Sequence, residues 1–329
     1  MNIHFIKRLR NRFKKIEKQN KRAKAEINEL RARYDDLAER YNELRLEITN
    51  RFYELLPEDK YKEETKKRFF SSNGFALDLE NPKTLNEKIQ WLKFHDNIPE
   101  KATLTDKLAV REWVRNKIGS EYLTKVYGDW GTFDEIDMEA LPKKFVLKPN
   151  HASGMIIIVD DKSKLNIDLA REKVNKWLTT NYAYHGLEMQ YKDIVPRIMA
   201  EEHLGISGQD FYDCKFWCFN GRVEFIKSLI MVNGKAFEAC CYDREWRKTP
   251  FQAEGQKVKP DFEKPERLED MIRLAEELSE GFKLVRVDMY QKGKDEIKFG
   301  EMTFTPDNGE RRWVPQEYDR ILGDLLVLE

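Results

Sequence analysis

Between residues 284 and 306 the chain reads LVRVDMYQKGKDEIKFGEMTFTP, and four side chains there could do chemistry: Arg286, Asp288, Glu301 and Thr303. Read with the two-residue period of a strand, Leu284 to Tyr290 and Ile297 to Phe304 are strands, with QKGKDE as the turn. A hairpin centred on Gly293 and Lys294 stands residues 286 and 288 on one sheet face with 299, 301 and 303. Two carboxylates on adjacent strands repel each other and are costly to desolvate unless a cation lies between them or water reaches them. The segment therefore predicts either a metal-binding pair or a wet, exposed face.

A second stretch with chemical potential is FVLKPNHASGMIIIVDD, from Phe145 to Asp161. Strand, small-residue loop and strand form an arrangement whose loop amides can fold onto a phosphate while Lys148 supplies a point charge. Taken alone, a lysine before a turn is more often an ordinary surface lysine. The four cysteines, Cys214, Cys218, Cys240 and Cys241, have no disulfide-like framework and no nearby histidine, so they read as buried reduced thiols rather than a zinc site.

These residues need elements to hold them. At 329 residues the chain has room for about two domains. Its formal net charge of zero is a cancellation, because the first 24 residues hold ten Lys or Arg against Glu17 alone. No apolar run approaches the roughly 18 residues of a membrane span, and MNIHFIKRLRNRFKK lacks the features of a signal peptide, which predicts a cytoplasmic protein.

From Ile6, apolar residues step by three and four through Leu9, Phe13, Ile16, Ala23, Ile27, Leu30, Tyr34, Leu37, Tyr41, Leu44 and Ile48. So narrow a seam on a charged helix is best buried by a second copy, which predicts a coiled coil over 4–55 and a homodimer. Asn20 falls at an a position, where a buried amide favours a parallel pair, and Pro57 ends the helix. The basic side chains from Lys7 to Lys15 suit a peripheral contact with anionic lipid at the inner membrane face, or a solvated flank. Nucleic acid is disfavoured because no basic, aromatic-rich face follows.

Beyond Pro57, KYKEETKKRFFSSNG and TLNEKIQWLKFHD read as helices, the second capped by Thr84 with Glu87. Residues 103–119 read as one further helix capped at Thr105 or Asp106 and stopped at Gly119. DCKFWCFNGRVEFIKSLI reads as two strands turned at Asn220-Gly221, and residues 268–282 as a helix. Strands and helices mixed without a βαβαβ repeat predict α+β, and the absence of GxGxxG and GxxxxGK[ST] argues against Rossmann and P-loop enzymes.

In order, TDKLAVREW, FVLKPNHASG, AEEHL, RVDMY and GEMTFTP form a series that resembles the ATP-grasp superfamily. LNEKIQWLKFHD, DCKFWCFNG and FGEMTFTPDNG look like its TupA-like branch, associated with teichuronopeptide and surface-polysaccharide biosynthesis. The likeness runs from about residue 84 to the end and implies an ATP-grasp fold over 106–329. Residues 57–105 would form a helical linker or N-terminal subdomain, and 1–56 the coiled-coil helix.

The resemblance implies ATP and Mg2+ as cofactors, with Lys107, Lys148 and the loop His151, Ser153 and Gly154 around the phosphates. Glu201, Glu202 and Leu204 match the adenine hinge, the latter two partly through backbone atoms, and Asp210 or Asp213 the ribose position. Asp288 and Glu301 match magnesium ligands, and Arg286 matches the group that meets charge developing on the reacting centre. Thr303 stands where the family usually places an asparagine, which leaves Asn308 as a third ligand only if its loop turns back. His151 reads as a phosphate-loop donor or a structural imidazole.

The implied activity is an ATP-dependent carboxylate-amine ligase working through an acyl phosphate, decorating a uronic-acid-containing polymer or its precursor. Two other readings stand beside it. One is a glycosyltransferase of capsule or lipopolysaccharide assembly, which lacks its Asp-x-Asp motif here, Asp160-Asp161 being the nearest pair. The other is a non-catalytic nucleotide-binding scaffold organised by the coiled coil.

Overall fold

No glycine or proline interrupts residues 3–55, and α1 (Ile3–Leu55) runs as a single helix of 53 residues, about 80 Å at 1.5 Å per residue. The computed structural model describes residues 3–205, 211–232, 236–256 and 263–329, in two compact units, Met1–Leu55 and Leu56–Glu329. On α1 the seam residues Ile16, Ile27, Leu30, Tyr34, Leu37, Tyr41, Leu44 and Ile48 are all at least 50% exposed. Among the described residues no helix is long and apolar enough to cross a membrane.

The second unit opens with α2 (Tyr61–Asn73), which ends on Gly74 in the left-handed region (φ 82°). Next, α3 (Leu85–His95) starts with the predicted capping box: Glu87 N donates to Thr84 Oγ1 at 3.2 Å and Thr84 N to Glu87 Oε2 at 2.9 Å. The helix predicted over 103–119 is instead broken. α4 (Pro99–Thr105) stops, Asp106 Oδ1 accepts from Leu108 N at 2.8 Å, and α5 (Val110–Lys117) begins afresh. A carboxylate that takes the backbone N–H two residues on competes with continuing the helix. Lys107 is thereby left in the break.

Strands β1 (Val126–Trp130), β2 (Phe145–Pro149), β3 (Ile157–Val159) and β4 (Ile198–Glu202) form an antiparallel sheet in the order β1-β4-β2-β3. Its core packs Phe145, Leu147, Ile198 and Ala200 on Ala170 and Val174 of α6 (Ile167–Leu178). The short α7 (Ala183–Gly186) follows α6 in the chain.

β5 (Phe211–Phe219), β6 (Arg222–Val232) and β7 (Ala236–Tyr242) belong to a second, five-stranded antiparallel sheet. The turn predicted at Asn220-Gly221 has both residues at positive φ (51° and 82°), the geometry whose twist suits a two-residue hairpin. After β8 (Gln252–Ala253) and α8 (Leu268–Ser279) come β9 (Leu284–Lys292) and β10 (Glu296–Thr303), giving the order β10-β9-β5-β6-β7. β11 (Trp313–Val314) pairs with β8, and α9 (Glu317–Leu325) packs on α3.

One face of the five-stranded sheet is apolar. Cys214, Phe216 and Cys218 of β5 and Val285, Val287 and Met289 of β9 pack on Met271, Ala275 and Leu278 of α8. All four cysteines are free and buried, as the sequence predicts. The other face carries the alternate residues, and β10 joins it by an irregularity. Phe299 pairs with Met289 in the core, yet Glu301 pairs with Asp288, so the register slips one residue at Gly300. This corrects the simple alternation, which put residue 299 on the acidic face. A β-bulge switches which residues face inward, and here it brings Glu301 out of the core and beside Asp288. Gly300 fits the bulge closely, since a Cβ there would lie 3.0 Å from the Asp288 carbonyl oxygen and 3.0 Å from the Tyr290 ring.

Candidate active site

Register lays the non-core face of the five-stranded sheet out in rows. Tyr290, Asp213 and Leu229 form one; Glu301, Asp288, Lys215, Lys227 and Cys241 form the next; Thr303, Arg286, Trp217 and Phe225 form a third. Charge is concentrated in and beside the middle row. Arg286 donates through Nε to Asp288 Oδ1 at 2.6 Å and through Nη2 to Asp288 Oδ2 at 2.8 Å and Glu301 Oε1 at 3.1 Å. Lys215 Nζ reaches Asp288 Oδ2 at 2.7 Å and Asp213 Oδ1 at 3.2 Å. Lys107 Nζ lies 3.3 Å from Glu301 Oε2. The acids are thus neither wet nor unpaired; they sit in a clasp of four cations' side chains drawn from three elements and a helix break when Lys148 is included.

Electrostatics follow from this geometry. Burial alone pushes the Glu301 carboxyl up, but Lys107 and Arg286 more than offset it and hold its pKa at about 2. Burial works against the charge on Arg286 and Lys215 as well, and Asp288 reverses it in both, so their pKa values are raised. Asp213 goes the other way, its pKa raised by burial against the pull of Lys215.

Facing the charged row, Lys148 Nζ pairs with Glu201 Oε1 at 2.5 Å, and Thr124 Oγ1 donates to Glu201 Oε2 at 3.1 Å. Between the sheets lies a cavity of about 200 Å³. Val146, Ile158, Leu204, Phe211 and Leu229 supply its apolar walls, and Tyr290, Lys148, Glu201, Glu202 and Asp213 its polar ones. Complete small-molecule pockets run to roughly 300–1,000 Å³, so this one suits a single planar ring system whose polar tail leaves toward the lysines. The Glu202 amide is already paired with the Lys125 carbonyl at 2.8 Å.

The loop after β2 is anchored by Asn150, which is 1% exposed. Its Oδ1 accepts from Arg197 N at 2.8 Å, its Nδ2 donates to Val195 O at 3.1 Å, and its carbonyl accepts from Lys107 N at 3.0 Å. Lys107 Nζ closes the tie by donating to Ala152 O at 2.6 Å. Ser153 hydrogen-bonds the Tyr182 side chain, and Gly154, at φ 74°, has no atom within 4 Å of where a Cβ would stand. Backbone there is open to close approach by a ligand.

Two open readings are narrowed by the geometry. The His151 ring turns inward, its Nε2 3.2 Å from Trp177 O and 3.1 Å from Thr180 O and its Nδ1 3.2 Å from Asn150 Oδ1, and burial lowers its pKa. It is a structural imidazole, and any donor from position 151 is its amide. Asn308 is equally committed: its Oδ1 accepts from Lys93 Nζ and its Nδ2 donates to Glu310 Oε1 at 2.8 Å, so the loop does not offer it as a third ligand. Asp210 lies outside the described residues. Lys215, Asn150, Tyr182 and Tyr290 were not expected from the sequence. Strand alternation could have found Lys215, since DCK puts it on the face opposite Cys214, with Asp213.

Among the described residues no three His, Cys, Asp or Glu side chains converge to hold a metal on protein ligands alone. The cross-strand pair Asp288 and Glu301 nonetheless fits Mg2+, which is commonly held by one or two carboxylates together with substrate phosphates. Charge balance agrees. Lys107, Lys148, Lys215 and Arg286 are matched by Glu201, Asp213, Asp288 and Glu301, so these side chains carry no surplus positive charge.

A family model described as TupA-like ATPgrasp matches residues 87–327. No curated protein matches the chain in sequence. Among solved structures, the chain is similar to D-alanine–D-alanine ligase from Bacillus anthracis complexed with ATP at 17% identity and a TM-score of 0.38, over 62% of this chain and 56% of that one. It is similar to the L-amino acid ligase from Bacillus licheniformis at 14% identity and a TM-score of 0.45, over 82% and 62%. The ATP-grasp ligase PsnB complexed with minimal precursor gives 12% identity and a TM-score of 0.35, over 64% and 55%. The chain thus spans 55–62% of the length of these structures. With the family model covering most of its length, the chain belongs to the TupA-like ATP-grasp family.

Proposed function

We propose that the protein is an ATP-dependent, Mg2+-assisted carboxylate-amine ligase acting through an acyl phosphate. The observation that carries this reading is the clasp of Arg286, Lys215 and Lys107 around Asp288 and Glu301, set beside a ring-sized cavity that Lys148 borders. Adenine would occupy the cavity against Leu204, with Glu201 and Glu202 at its polar edge and Asp213 toward the ribose. The triphosphate would then run to Lys148, Lys107 and the amides of Ser153 and Gly154. Asp288 and Glu301 would hold Mg2+, which supplies countercharge to the transferring phosphoryl group.

A carboxylate is a poor acylating agent because oxide is a poor leaving group. Phosphorylation cures this: a substrate carboxylate oxygen bonds to the γ-phosphorus, the bond to the β-phosphate oxygen breaks, and ADP departs with that electron pair. The amine nitrogen then bonds to the acyl carbon, the carbon–oxygen bond to phosphate breaks, and the nitrogen's proton passes to phosphate or solvent. Arg286 uses Nε and Nη2 on the acids, which fixes its plane and leaves Nη1 to meet charge developing on the reacting centre.

By family likeness the carboxylate belongs to a uronic-acid-containing surface polymer or its precursor. The exposed seam of α1 supports a parallel coiled-coil homodimer, and the basic start of that helix suits an anionic membrane surface. Titrating a non-hydrolysable ATP analogue calorimetrically with and without Mg2+ tests the core of this reading. Mg2+-dependent binding that Lys148→Ala abolishes is expected; binding indifferent to both would sink it. Sedimentation of a chain beginning at Pro57 should give half the association state of the full chain, and an unchanged state would rule out pairing through α1.

A further inference from the structure

The motifs TDK and KPNHASG hold two residues that no step above uses, Asp106 and Asn150. Neither lines the ring-sized cavity, yet both are bonded to the backbone that carries Lys107 and the loop amides.

Asn150 spends its backbone and its side chain alike on hydrogen bonds. Its amide donates to Arg197 O at 3.0 Å, its Oδ1 accepts from Arg197 N at 2.8 Å and its Nδ2 donates to Val195 O at 3.1 Å. The side chain thereby extends the pairing of β2 with the entry to β4 one residue past Pro149, whose partner is Ile198. A carboxamide can do this because it presents a donor and an acceptor on one short planar group. What is left, the Asn150 carbonyl, accepts from Lys107 N at 3.0 Å.

Asp106 decides whether Lys107 N is free to reach that carbonyl. In an unbroken α-helix the amide of residue 107 would turn to the carbonyl four residues back. Asp106 instead takes extended backbone, φ −69° and ψ 115°, and its Oδ1 accepts from Leu108 N at 2.8 Å and Ala109 N at 3.3 Å. The helix stops, restarts at Val110, and hands Lys107 sideways to the loop. The Lys107 ammonium then donates to Ala152 O at 2.6 Å and stands 3.3 Å from Glu301 Oε2. One lysine therefore ties the loop at residues 150 and 152 and reaches the last strand of the five-stranded sheet. Ser153 and Gly154 follow directly on the second tie, and a loop ordered in advance spares a ligand the entropy of ordering it.

We propose that Asp106 and Asn150 are positioning residues for the phosphate loop: together they fix Lys107 and the amides of Ser153 and Gly154 where a polyphosphate tail meets them, and so set affinity for the tail and not for the ring. This rests on the ligase reading and adds to it two residues that act through others.

The test compares a non-hydrolysable ATP analogue with AMP, which keeps the ring and ribose but has one phosphate, by calorimetric titration into full-length protein with Mg2+. Asp106→Ala and Asn150→Leu should each weaken the analogue at least about ten-fold, roughly the worth of one hydrogen bond to a charged group, and leave AMP within about two-fold. Asp106→Asn, whose amide oxygen can take the same two backbone amides, should bind both nucleotides as the parent does. A residue that only held the fold together would weaken both nucleotides alike. Equal loss for AMP and analogue, no loss for either, or failure of Asp106→Asn to restore the analogue overturns the proposal while leaving the ligase intact. Asp106 is partly exposed, so its two variants decide the matter should Asn150→Leu fail to fold. If the analogue does not bind the parent protein, the ligase reading falls and this role with it.

Discussion

Two buried ionic clusters in residues 56–329 use similar residues to opposite ends. Around Asp288 charge meets charge, and Glu301 is held ionised with a pKa of about 2. In the cluster between α3, α7 and the turn after β10, charges meet mainly neutral dipoles. Lys93 Nζ donates to Gly186 O at 3.0 Å and to the Asn308 amide oxygen, while Glu188 accepts from the Thr305 hydroxyl. Burial pulls Lys93 down to about 8 and pushes Glu188 up. The first cluster keeps its charges and can trade them with a ligand; the second is inclined to shed them and acts as a clamp. Burial by itself therefore does not mark a site. What marks it is whether the paired charges can be exchanged for others.

The largest expected effect separates the clusters by chemistry. Asp288→Asn or Glu301→Gln should lower ATP turnover by about 10²–10³-fold, the cost of losing one group that stabilises developing charge, and Asp288→Asn, which leaves Arg286 and Lys215 without their buried carboxylate, should lower the melting temperature as well. Unchanged turnover in both variants would remove the metal assignment. Next comes the mirror experiment. Lys93→Met leaves the Gly186 and Asn308 oxygens buried without their donor and should cost about 1–3 kcal/mol in urea unfolding, with analogue affinity unaltered; a matching loss of affinity would mean the two clusters act as one.

The smallest effect sharpens the contrast through pH. His185 stacks on Tyr182 with ring centroids 4.6 Å apart, and burial holds its pKa at about 4 against an ordinary 6.5. Between those values the unfolded chain binds more protons than the folded one. Stability from this group is therefore complete above pH 6.5 and falls as pH drops toward 4, by at most about 3 kcal/mol. His185→Phe should flatten that slope in denaturant titrations run across the window. Parallel slopes in parent and variant would detach His185 from the acid response.

How much of this is legible in sequence depends on the range of the interaction. The Thr84 capping box, the Asn220-Gly221 turn and the strand alternation of β5 and β9 are set by neighbours a few residues away, and all can be read directly. The break at Asp106 is local too, but it is decided by whether one carboxylate takes a backbone amide, which helical periodicity does not report. His151 and Asn308 look equally available on paper. Only the packing of Trp177, Thr180 and Lys93 against them commits them elsewhere.

Gly300 gives the chain a parity. Each residue inserted into or removed from a strand inverts the assignment of everything beyond it, and the extra residue at the bulge is what makes Glu301 count as outward rather than inward. A protein lacking Gly300 could retain RVD and EMTFTP and still turn its glutamate into the hydrophobic layer under α8. For this lineage, then, a single-residue gap between Phe299 and Glu301 is a frame error in three dimensions. An inventory of matched motif residues would pass such a chain as an enzyme, whereas counting the residues between them would not.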